Sequence, residues 1–464
     1  MTKAIKTACI FLLFFLTWGG LFWITGSRTP WQVLTRPSGE EGIAVSLGDV
    51  PAQPYDRMGF TGGFIRALAD GTWIVGSDRG DLFHFDRNGK ELWKRSLGDG
   101  AISAMEVSRD GQILYVGEKS RTGLLYALKA ESGDILWQAE AAAYVGSDPS
   151  ARSDPYAVHI SADKEGNVYV NFHRFTVSRK ALRGYIAKIA SFSPDGKERW
   201  RYPEEGTMDA WTNWNDVNDE NGLLLASTAS NEMGQHIHYD QTLYLLDKDT
   251  GRLTRKVLIP PVEGFANTVM RGSPNFSPDG THMAGAASDG RGFLFDKEGH
   301  ILWTRDLSLP VMAGGMWMNA AGREARILPE GVAFTTINTF NRENWQLPTP
   351  VIHPGSNSLF LFALDGTFLF RYTAKGEIED AAFAPGVAAV AVGRNVRTHD
   401  YTVHGASAVS LTDGRELSHY HTEGPVQVVA ISADGKKIAA IEAPAVTPEG
   451  KLIGSYTFHL WDRK

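Results

Sequence analysis

One local pattern recurs along most of the chain. An apolar run leads into a turn in which Asp, Asn, Ser or Thr precedes Gly, and a second apolar run follows, often ending in Trp. Alternating apolar residues around such turns predict β-hairpins, because Gly and Asn accept the positive φ of a tight turn. Clear copies lie at residues 82–93, 125–137, 189–200, 243–253 and 293–303, and weaker copies at 359–370 and 407–417.

A second hairpin pattern lies between these copies, at spacings of roughly 40 to 60 residues. Two hairpins per repeat make four antiparallel strands, named A to D here in chain order, and four such strands form a propeller blade. The sequence therefore predicts an all-β protein, an eight-bladed β-propeller of four-stranded antiparallel blades. The glycines of the eight A–B turns are Gly71, Gly111, Gly166, Gly222, Gly280, Gly331, Gly386 and Gly435.

The eighth repeat lacks its last strand. Its C strand is predicted at residues 456–462, and the sequence stops at Lys464. Residues 42–47 precede the first A strand and have no hairpin partner of their own. We expect this N-terminal strand to close the ring beside residues 456–462, since an open ring leaves sheet edges exposed. Blade 6 has the least regular pattern, because its A strand near residues 323–328 alternates poorly.

The first residues carry a membrane signal. Residues 8–25 contain no charged side chain and approach the roughly 20 residues that cross a bilayer. Lys3 and Lys6 precede them, so the positive-inside rule keeps the N-terminus in the cytoplasm and exports the rest. The alternative is a cleaved signal peptide and a secreted protein. The expected parts are a cytoplasmic tail (1–7), a transmembrane signal-anchor helix (8–25), a linker (26–41) and the propeller (42–464).

Composition excludes several classes of protein. Acidic residues outnumber basic ones, 53 to 46, so no nucleic-acid partner is expected. The single cysteine, Cys9, permits neither an intrachain disulfide nor a cysteine-based zinc site. No G-x-S-x-G, P-loop or HExxH motif occurs in the sequence. No catalytic residue is therefore assigned.

The C–D hairpins carry a family resemblance. Their fullest form approaches D-x-x-[TNS]-G-x-x-x-W, seen as Gly133 with Trp137 and in part as Asp247 with Gly251. This signature resembles the tryptophan-docking repeat of PQQ-like propellers. That family includes quinoprotein alcohol dehydrogenases and the propeller type of outer-membrane barrel assembly. The resemblance implies that the Gly forms the C–D turn while the Trp wedges between neighbouring blades.

The same resemblance has consequences for docking and for cofactors. In blades 4, 6 and 7 the Trp position holds Arg255, Phe370 and a residue near Ser418, so we expect these blades to dock less uniformly. Alcohol-type quinoproteins typically carry adjacent disulfide-bonded cysteines over the quinone, and this chain has no such pair. No cofactor is therefore expected, with PQQ as the alternative because some quinoproteins lack the pair. The implied docking residues are Trp93, Trp137, Trp200 and Trp303.

Loop lengths distinguish the two faces of the predicted ring. Because strands alternate in direction, A–B and C–D turns emerge on one face, whereas B–C and D–A connections emerge on the other. The long segments all belong to the second set, and long ordered loops on a rigid scaffold are where function concentrates. We therefore expect the D–A/B–C face to be functional. Its long segments are 138–157, 173–184, 202–213, 228–240, 260–275, 307–320, 338–357, 393–405 and 442–454.

Candidate binding residues on this face are mostly of the types that anchor protein interfaces, together with loop histidines. His236 and His238 could supply part of a metal shell, because side chains two apart on a strand share a face. Solvated loop histidines are the commoner case, so no metal site is predicted. The candidates are Arg174, Arg183, Trp211, His236, His238, Arg271, Trp317, Trp345, Arg394, His399 and His404.

The combined features favour a protein-binding or scaffolding module. It would be held at the cytoplasmic membrane by its N-terminal helix, with the propeller in the periplasm or outside the cell, and would bind envelope or membrane proteins. Two alternatives remain open: a quinone- or metal-dependent periplasmic enzyme, and a sensor of an unidentified small ligand. Both would use the channel mouth on the D–A/B–C face.

Overall fold

A computed structural model describes most of the chain from residue 42 onward. The predicted tail, anchor helix and linker lie outside the described residues. Within the described part of the chain, no helix is long and apolar enough to cross a bilayer. The described residues are 42–48, 63–98, 100–148, 153–177, 183–208, 210–230, 241–259, 261–265, 268–270, 274–344, 347, 349–393, 401–447 and 449–463.

The described residues form eight antiparallel sheets that follow one another as propeller blades, which confirms the predicted repeat. Blade 1 comprises Phe64–Ala67, Trp73–Gly76, Asp81–Phe85 and Glu91–Ser96. Blade 2 comprises Ala101–Val107, Ile113–Lys119, Leu124–Lys129 and Ile135–Glu140. Blade 3 comprises Pro155–Ala162, Val168–Val177, Arg183–Phe192 and Glu198–Tyr202. Blade 4 comprises Ala210–Asn218, Leu223–Ser230, Gln241–Asp247 and Leu253–Ile259.

The second half of the ring contains one additional strand. Blade 5 comprises Asn275–Phe276, His282–Ala286, Arg291–Asp296 and Ile301–Asp306. Blade 6 begins with the additional strand Val311–Ala313 and continues with Met316–Leu328, Gly331–Asn341, Ser358–Phe362 and Phe368–Thr373. Blade 7 comprises Ile378–Ala384, Val387–Val392, Gly405–Ser410 and Glu416–His421. The connections contain a short helix at Ala142–Val145, a 3-10 turn at Tyr401–Val403 and a ribbon of Ala445–Val446 with Leu452–Ile453.

Blade 8 closes the ring with strands from both ends of the propeller. Val426–Ile431, Lys437–Glu442 and Thr457–Asp462 come from the C-terminal end, and Ile43–Ser46 pairs antiparallel beside the last of them. The register joins Ile43 to Leu460. The predicted closure is confirmed. It leaves blade 8 without a C–D turn, because strands C and D lie at opposite ends of the chain.

Blade 6 differs from the sequence expectation. Its A strand, Met316–Leu328, has 13 residues and is continuous. The register against strand B shifts between Ala320 and Gly322, and again between Gly322 and Ala325. Such bulges interrupt the two-residue alternation of side chains without ending the strand. The poor pattern in the sequence therefore reflects bulges and not a weak strand.

Every C–D hairpin in the described blades has a bulge at the same place in strand D. In blade 1, His84 pairs with Trp93 but Phe85 pairs with Glu91, so Leu92 is left out of the ladder. The residue after the bulge is the docking position. The indole Nε1 donates across the blade junction to a backbone oxygen: Trp93 to Ala130 at 3.1 Å, Trp137 to Pro194 at 2.8 Å, Trp200 to Lys248 at 2.9 Å and Trp303 to Leu364 at 2.9 Å.

Other apolar residues occupy the junctions that lack Trp. Phe370 covers Gly414, and Ile43 covers Gly89, where an added Cβ would lie 2.8 Å from Ile43 Cγ2. In blade 4, Arg255 instead contacts His300 Nε2 through its guanidinium at 2.9 Å, while Val257 covers the next C–D glycine. At these junctions the facing turn residue is again Gly, and apolar side chains of different shapes cover it.

Candidate functional site

The structure describes only part of the predicted binding face. His236, His238, Arg271, Trp345, Arg394 and His399 lie outside the described residues, and Arg183 is described as backbone only. Trp317 is 42% exposed, whereas His404 is fully buried. Arg174 is half-buried and donates from Nε to the Val145 carbonyl at 3.0 Å. Trp211 is half-buried and stacks on Tyr185, with ring centroids 5.8 Å apart.

Blade 6 presents an apolar surface on the D–A/B–C face. The additional strand Val311–Ala313 pairs with the start of strand A, and the connection after strand B lies beside this hairpin. We call this region the blade 6 arm, which comprises the described residues 307–318, 338–344, 347 and 349–353. Its large apolar side chains are exposed: Leu309 65%, Met312 50%, Trp317 42%, Leu347 48%, Val351 45% and Ile352 43%.

The tip of the arm is a two-residue hairpin. Ala313 pairs with Met316, and both glycines between them have positive φ, 59° for Gly314 and 76° for Gly315. Positive φ at both central residues is the geometry that matches the right-handed twist of a hairpin. Gly314 also faces Pro350, which would lie 2.8 Å from an added Cβ. Sequence and packing therefore agree on a tight, ordered tip.

Hydrogen bonds join the two segments of the arm to each other, and one joins the arm to the connection that follows blade 4. The Arg342 backbone N–H donates to the Trp317 carbonyl at 2.7 Å, and its guanidinium donates to the Glu263 carbonyl at 2.6 Å. His353 Nε2 lies 2.6 Å from the Leu309 carbonyl oxygen. The exposed apolar side chains thus stand on a fixed backbone, which reduces the ordering cost of binding.

A second feature of this face is an aromatic cluster between blades 3 and 4. Phe175 and Tyr185 have ring centroids 5.4 Å apart, and Tyr185 and Trp211 follow at 5.8 Å. Beneath them, the buried His173 ring lies 5.3 Å from Tyr185 and 4.4 Å from Tyr156. The B–C connection of blade 3 was expected to be a loop from residue 173. Instead, strands B and C continue to Val177 and from Arg183, which carries these rings outward.

The A strands of successive blades surround a central channel and present unpaired edges to one another. Side chains satisfy these edges, as expected for buried backbone groups. The Asp216 carboxylate accepts the Phe276 N–H of the next blade at 2.8 Å. In the same way, Asp380 accepts the Val429 N–H at 3.0 Å. These polar residues tie neighbouring A strands together.

Guanidinium groups also form hydrogen bonds and ion pairs at the edges of the A strands. Arg66 donates to the Met105 carbonyl at 2.5 Å and forms an ion pair with Glu106 at 3.3 Å. Arg323 lies 3.5 Å from Glu324 and 3.6 Å from Glu379. The described charged groups of the channel are thus largely committed to one another and to backbone.

Two channel carboxyls are close enough to influence each other's ionisation. Glu324 of blade 6 and Asp380 of blade 7 are hydrogen-bonded through their side chains. Burial, together with the Asp380 charge, raises the pKa of Glu324 to about 8. Burial also raises the pKa of Asp380, and it raises the pKa of Asp216 to about 6. Glu324 is therefore largely protonated at neutral pH.

Comparison with known proteins agrees with this architecture. Residues 19–230 match the family model described as outer membrane protein assembly factor BamB. BamB from Moraxella catarrhalis has a TM-score of 0.51 at 13% identity, over 90% of this chain and 100% of that chain. Quinohemoprotein alcohol dehydrogenase from Comamonas testosteroni has a TM-score of 0.57 at 12% identity, over 91% of this chain and 76% of that chain. The resemblance to PQQ-like propellers is confirmed. No curated protein matches the sequence significantly, and at these identities the structural likeness concerns the fold alone.

The described residues of the channel do not fit the quinone PQQ. PQQ is a tricarboxylic acid, so a site for it needs surplus positive charge. Among the channel groups that the structure describes, carboxyls outnumber guanidiniums. The carboxyls are Glu106, Asp216, Glu324, Glu379 and Asp380, and the guanidiniums are Arg66, Arg323 and Arg326. We therefore derive no reaction through PQQ.

The opposite face of the propeller holds a carboxylate cluster. Ligand oxygens of Asp163, Glu165 and Asp219 lie within 4.8 Å of one another, which is close enough for a metal ion. However, Lys248 Nζ lies 3.4, 3.6 and 3.8 Å from these three groups, respectively. Asp163 also accepts the Tyr169 hydroxyl at 2.8 Å. The lysine supplies the cation, so the arrangement is an ion-pair network between blades 3 and 4.

Sequence reasoning did not find the channel carboxyls or the Lys248 network. A signal existed for the channel, because Arg66, Asp216 and Glu324 are charged residues within predicted A strands. No signal existed for the network, since its members occupy turns that are far apart in sequence. For example, Asp163 and Lys248 belong to different blades.

Proposed function

We propose that this PQQ-like propeller is a protein-binding scaffold of the cell envelope, and that partner proteins dock on its D–A/B–C face. The observation that carries the proposal is the blade 6 arm. Contiguous exposed apolar surface on a folded protein marks an interaction site, whereas single exposed apolar residues are ordinary. The propeller fold and the family match to an assembly factor support a binding role.

The arm differs from the other exposed apolar residues of the ring. Leu92, Leu136, Leu302, Leu369 and Leu417 are 39% to 52% exposed, but each is the bulge residue of its own strand D. They therefore recur at the same position of strand D, and in blades 2, 5 and 6 the residue before the bulge (Ile135, Ile301 or Phe368) is exposed as well. The arm instead gathers six large apolar residues from two connections of one blade, including a Trp, which is a frequent anchor of protein interfaces.

The expected partner is an envelope protein that presents an apolar surface to the arm. Attachment of the propeller to the cytoplasmic membrane through residues 8–25 would place the face in the periplasm or outside the cell. Exclusion of water from Met312 and Trp317 would provide the favourable free energy. The ordered backbone beneath them would limit the entropic cost.

Site-specific crosslinking in cells tests this proposal. A photoreactive amino acid at Trp317 should crosslink to one or a few defined envelope proteins. The same amino acid at Leu92, which is 52% exposed on the outer edge of blade 1, is the matched control. We expect a distinct product from position 317 and no such product from position 92. Identical products from both positions, or none from 317, would contradict docking on the arm.

A substitution experiment complements the crosslinking. Met312→Ser combined with Trp317→Ala removes exposed apolar surface and should leave the unfolding temperature nearly unchanged. Recovery of the crosslinked partner by the tagged full-length chain should fall at least tenfold. Leu302→Ser, at a 51% exposed residue of blade 5, is the matched substitution and should not alter recovery. Equal recovery by the double variant would reject the arm as the docking site.

A further inference from the structure

The aromatic cluster between blades 3 and 4 has the form of an ordered row. Phe175, Tyr185 and Trp211 lie in succession, with centroid distances of 5.4 and 5.8 Å, and all three side chains are half-buried. The Phe175 and Tyr185 rings are nearly perpendicular at 71°, whereas Tyr185 and Trp211 lie 22° from parallel. We call these three residues the aromatic row. It lies on the D–A/B–C face, away from the blade 6 arm.

A rigid base supports the row. His173 is 1% exposed, and its Nδ1 lies 3.2 Å from the Thr212 carbonyl oxygen. Burial lowers the pKa of His173 to about 4, so the imidazole is neutral at physiological pH. Tyr156 packs edge-on against it at 4.4 Å. The rings above this base are therefore held in place before a ligand arrives.

One end of the cluster carries a positive charge. The Lys119 ammonium lies 4.8 Å from the centroid of the Tyr156 ring, a cation–π distance. Lys119 is exposed, so its charge is available to a bound molecule. A partner that crosses the cluster would gain from a negative group near this end.

The spacing of the rings restricts the shape of the ligand. At 5.4 and 5.8 Å, neighbouring rings are too close for a further ring to enter between them. A ligand must therefore lie across the row and touch one ring after another. One turn of a polyproline II helix rises roughly 9 Å. The spacing from Phe175 to Tyr185 and the spacing from Tyr185 to Trp211 add up to a longer distance, so one turn of the helix fits along the row. Aromatic-lined grooves bind such segments because the extended helix is already formed in the free peptide.

We propose that the aromatic row binds a proline-rich segment in the polyproline II conformation, with an acidic residue beside Lys119. The inference rests on the proposed scaffold function and names the chemistry of one partner segment. Two prolines three residues apart would lie on the same side of the helix, roughly 9 Å apart, and would pack on the two outer rings, Phe175 and Trp211. The row would thus recognise an extended segment, while the arm binds a folded apolar surface.

Fluorescence anisotropy with defined peptides tests the inference. The probe is a fluorescein-labelled peptide with two P-x-x-P units preceded by two aspartates. Its matched control has alanine at every proline position. The full-length chain should bind the proline peptide at least tenfold more tightly than the alanine peptide. Equal binding of the two peptides, or no binding of the proline peptide at millimolar protein, would overturn the proposal.

Variants locate the site. Tyr185→Ala and Trp211→Ala should each weaken binding at least tenfold, while Tyr185→Phe keeps a ring and should retain it. Lys119→Glu should weaken the binding of the aspartate peptide. It should strengthen the binding of a peptide with lysines in place of the aspartates. Thermal unfolding of each variant verifies that it is folded. Unchanged affinity in the folded alanine variants would reject the row as the site.

The two proposals can fail separately. Trp317→Ala should reduce recovery of the crosslinked partner without altering peptide affinity. If the peptide does not bind but the Trp317 effect is observed, the proline inference fails and the scaffold function stands. If peptide binding depends on Tyr185 while the arm variants recover every partner, docking on the arm fails instead.

Discussion

The indole of Trp137 in blade 2 covers Gly196 in the C–D turn of blade 3. An added Cβ at Gly196 would lie 2.6 Å from Trp137 Cγ, and the indole Nε1 donates to the Pro194 carbonyl at 2.8 Å. The same relation joins Trp93 to Gly133, Trp200 to Gly251 and Trp303 to Gly366. The turn glycine is thus required twice, for its positive φ of 84° and for the space that the ring occupies.

Gly196→Ala should destabilise the protein more than Gly111→Ala. Both glycines have positive φ, 84° and 74°, but Gly111 has no atom within 4 Å of an added Cβ. Gly111→Ala should therefore show only the conformational cost, about 1–2 kcal/mol. Overpacking against the indole should add about 1–3 kcal/mol for Gly196→Ala. Chemical denaturation measures the free energy of unfolding of both variants. Equal losses of stability would show that the Trp137 ring moves aside without an energetic cost.

Glu324→Gln should stabilise the protein increasingly as the pH rises. The folded state keeps the Glu324 proton up to a pKa of about 8, whereas the ordinary value is 4.5. Between these values the folded state binds more protons than the unfolded state, so wild-type stability falls with rising pH. The glutamine side chain does not ionise, so the variant lacks this loss of stability. The gain in unfolding temperature should be small at pH 5 and largest at pH 8.

Glu379→Gln is the matched control, because Glu379 lies in the same channel and also pairs with Arg323. The pH dependence of the unfolding temperature is compared between the two variants. A pH-independent effect of Glu324→Gln would show that this carboxyl ionises normally in the folded protein.

Lys248→Met should strongly destabilise the junction of blades 3 and 4. The substitution leaves the carboxylates of Asp163 and Asp219, whose side chains are 0% and 2% exposed, without this ammonium. Removing one partner from a buried ion pair typically costs about 3–5 kcal/mol. Lys297, at the corresponding turn of blade 5, is 53% exposed and lies 3.9 Å from Glu298. Lys297→Met should change stability by less than about 0.5 kcal/mol.

Metal addition separates the ion-pair network from a metal site. Because Lys248 occupies the space between the carboxylates, calcium at millimolar concentration should not shift the unfolding temperature of the wild-type protein. EDTA should likewise have no effect. A calcium-dependent rise in the unfolding temperature of the wild-type protein would show that the ion displaces the Lys248 ammonium from the carboxylates.

Ring closure can be tested by truncation. Removal of residues 1–41 keeps the strand Ile43–Ser46, whereas removal of residues 1–48 deletes it. The longer deletion should expose the edge of strand C in blade 8, lower the unfolding temperature and cause association, because open sheet edges pair with other chains. Light scattering after size exclusion measures the association. Identical behaviour of the two truncations would mean that the closing strand is dispensable.

The repeat, the number of blades and the closing strand could all be predicted from the sequence. Each depends on short-range rules: alternation of apolar residues, turn glycines such as Gly133 and Gly435, and a strand without a local partner. A hairpin is encoded by residues that are close together in the chain, so its pattern can be seen without knowing the fold. The bulges of blade 6 hid its A strand, since they disturb this alternation.

The candidate sites depended on tertiary structure. Phe175, Tyr185 and Trp211 meet only because two extended strands of blade 3 approach the A strand of blade 4. Glu324 and Asp380 belong to different blades, and the raised pKa of Glu324 arises from burial and from their proximity in the channel. Local sequence patterns specify which segments become strands and how many blades they form. The packing of blades decided which distant side chains share a surface or a charge, because those contacts depend on the position of each blade in the ring and not on local spacing.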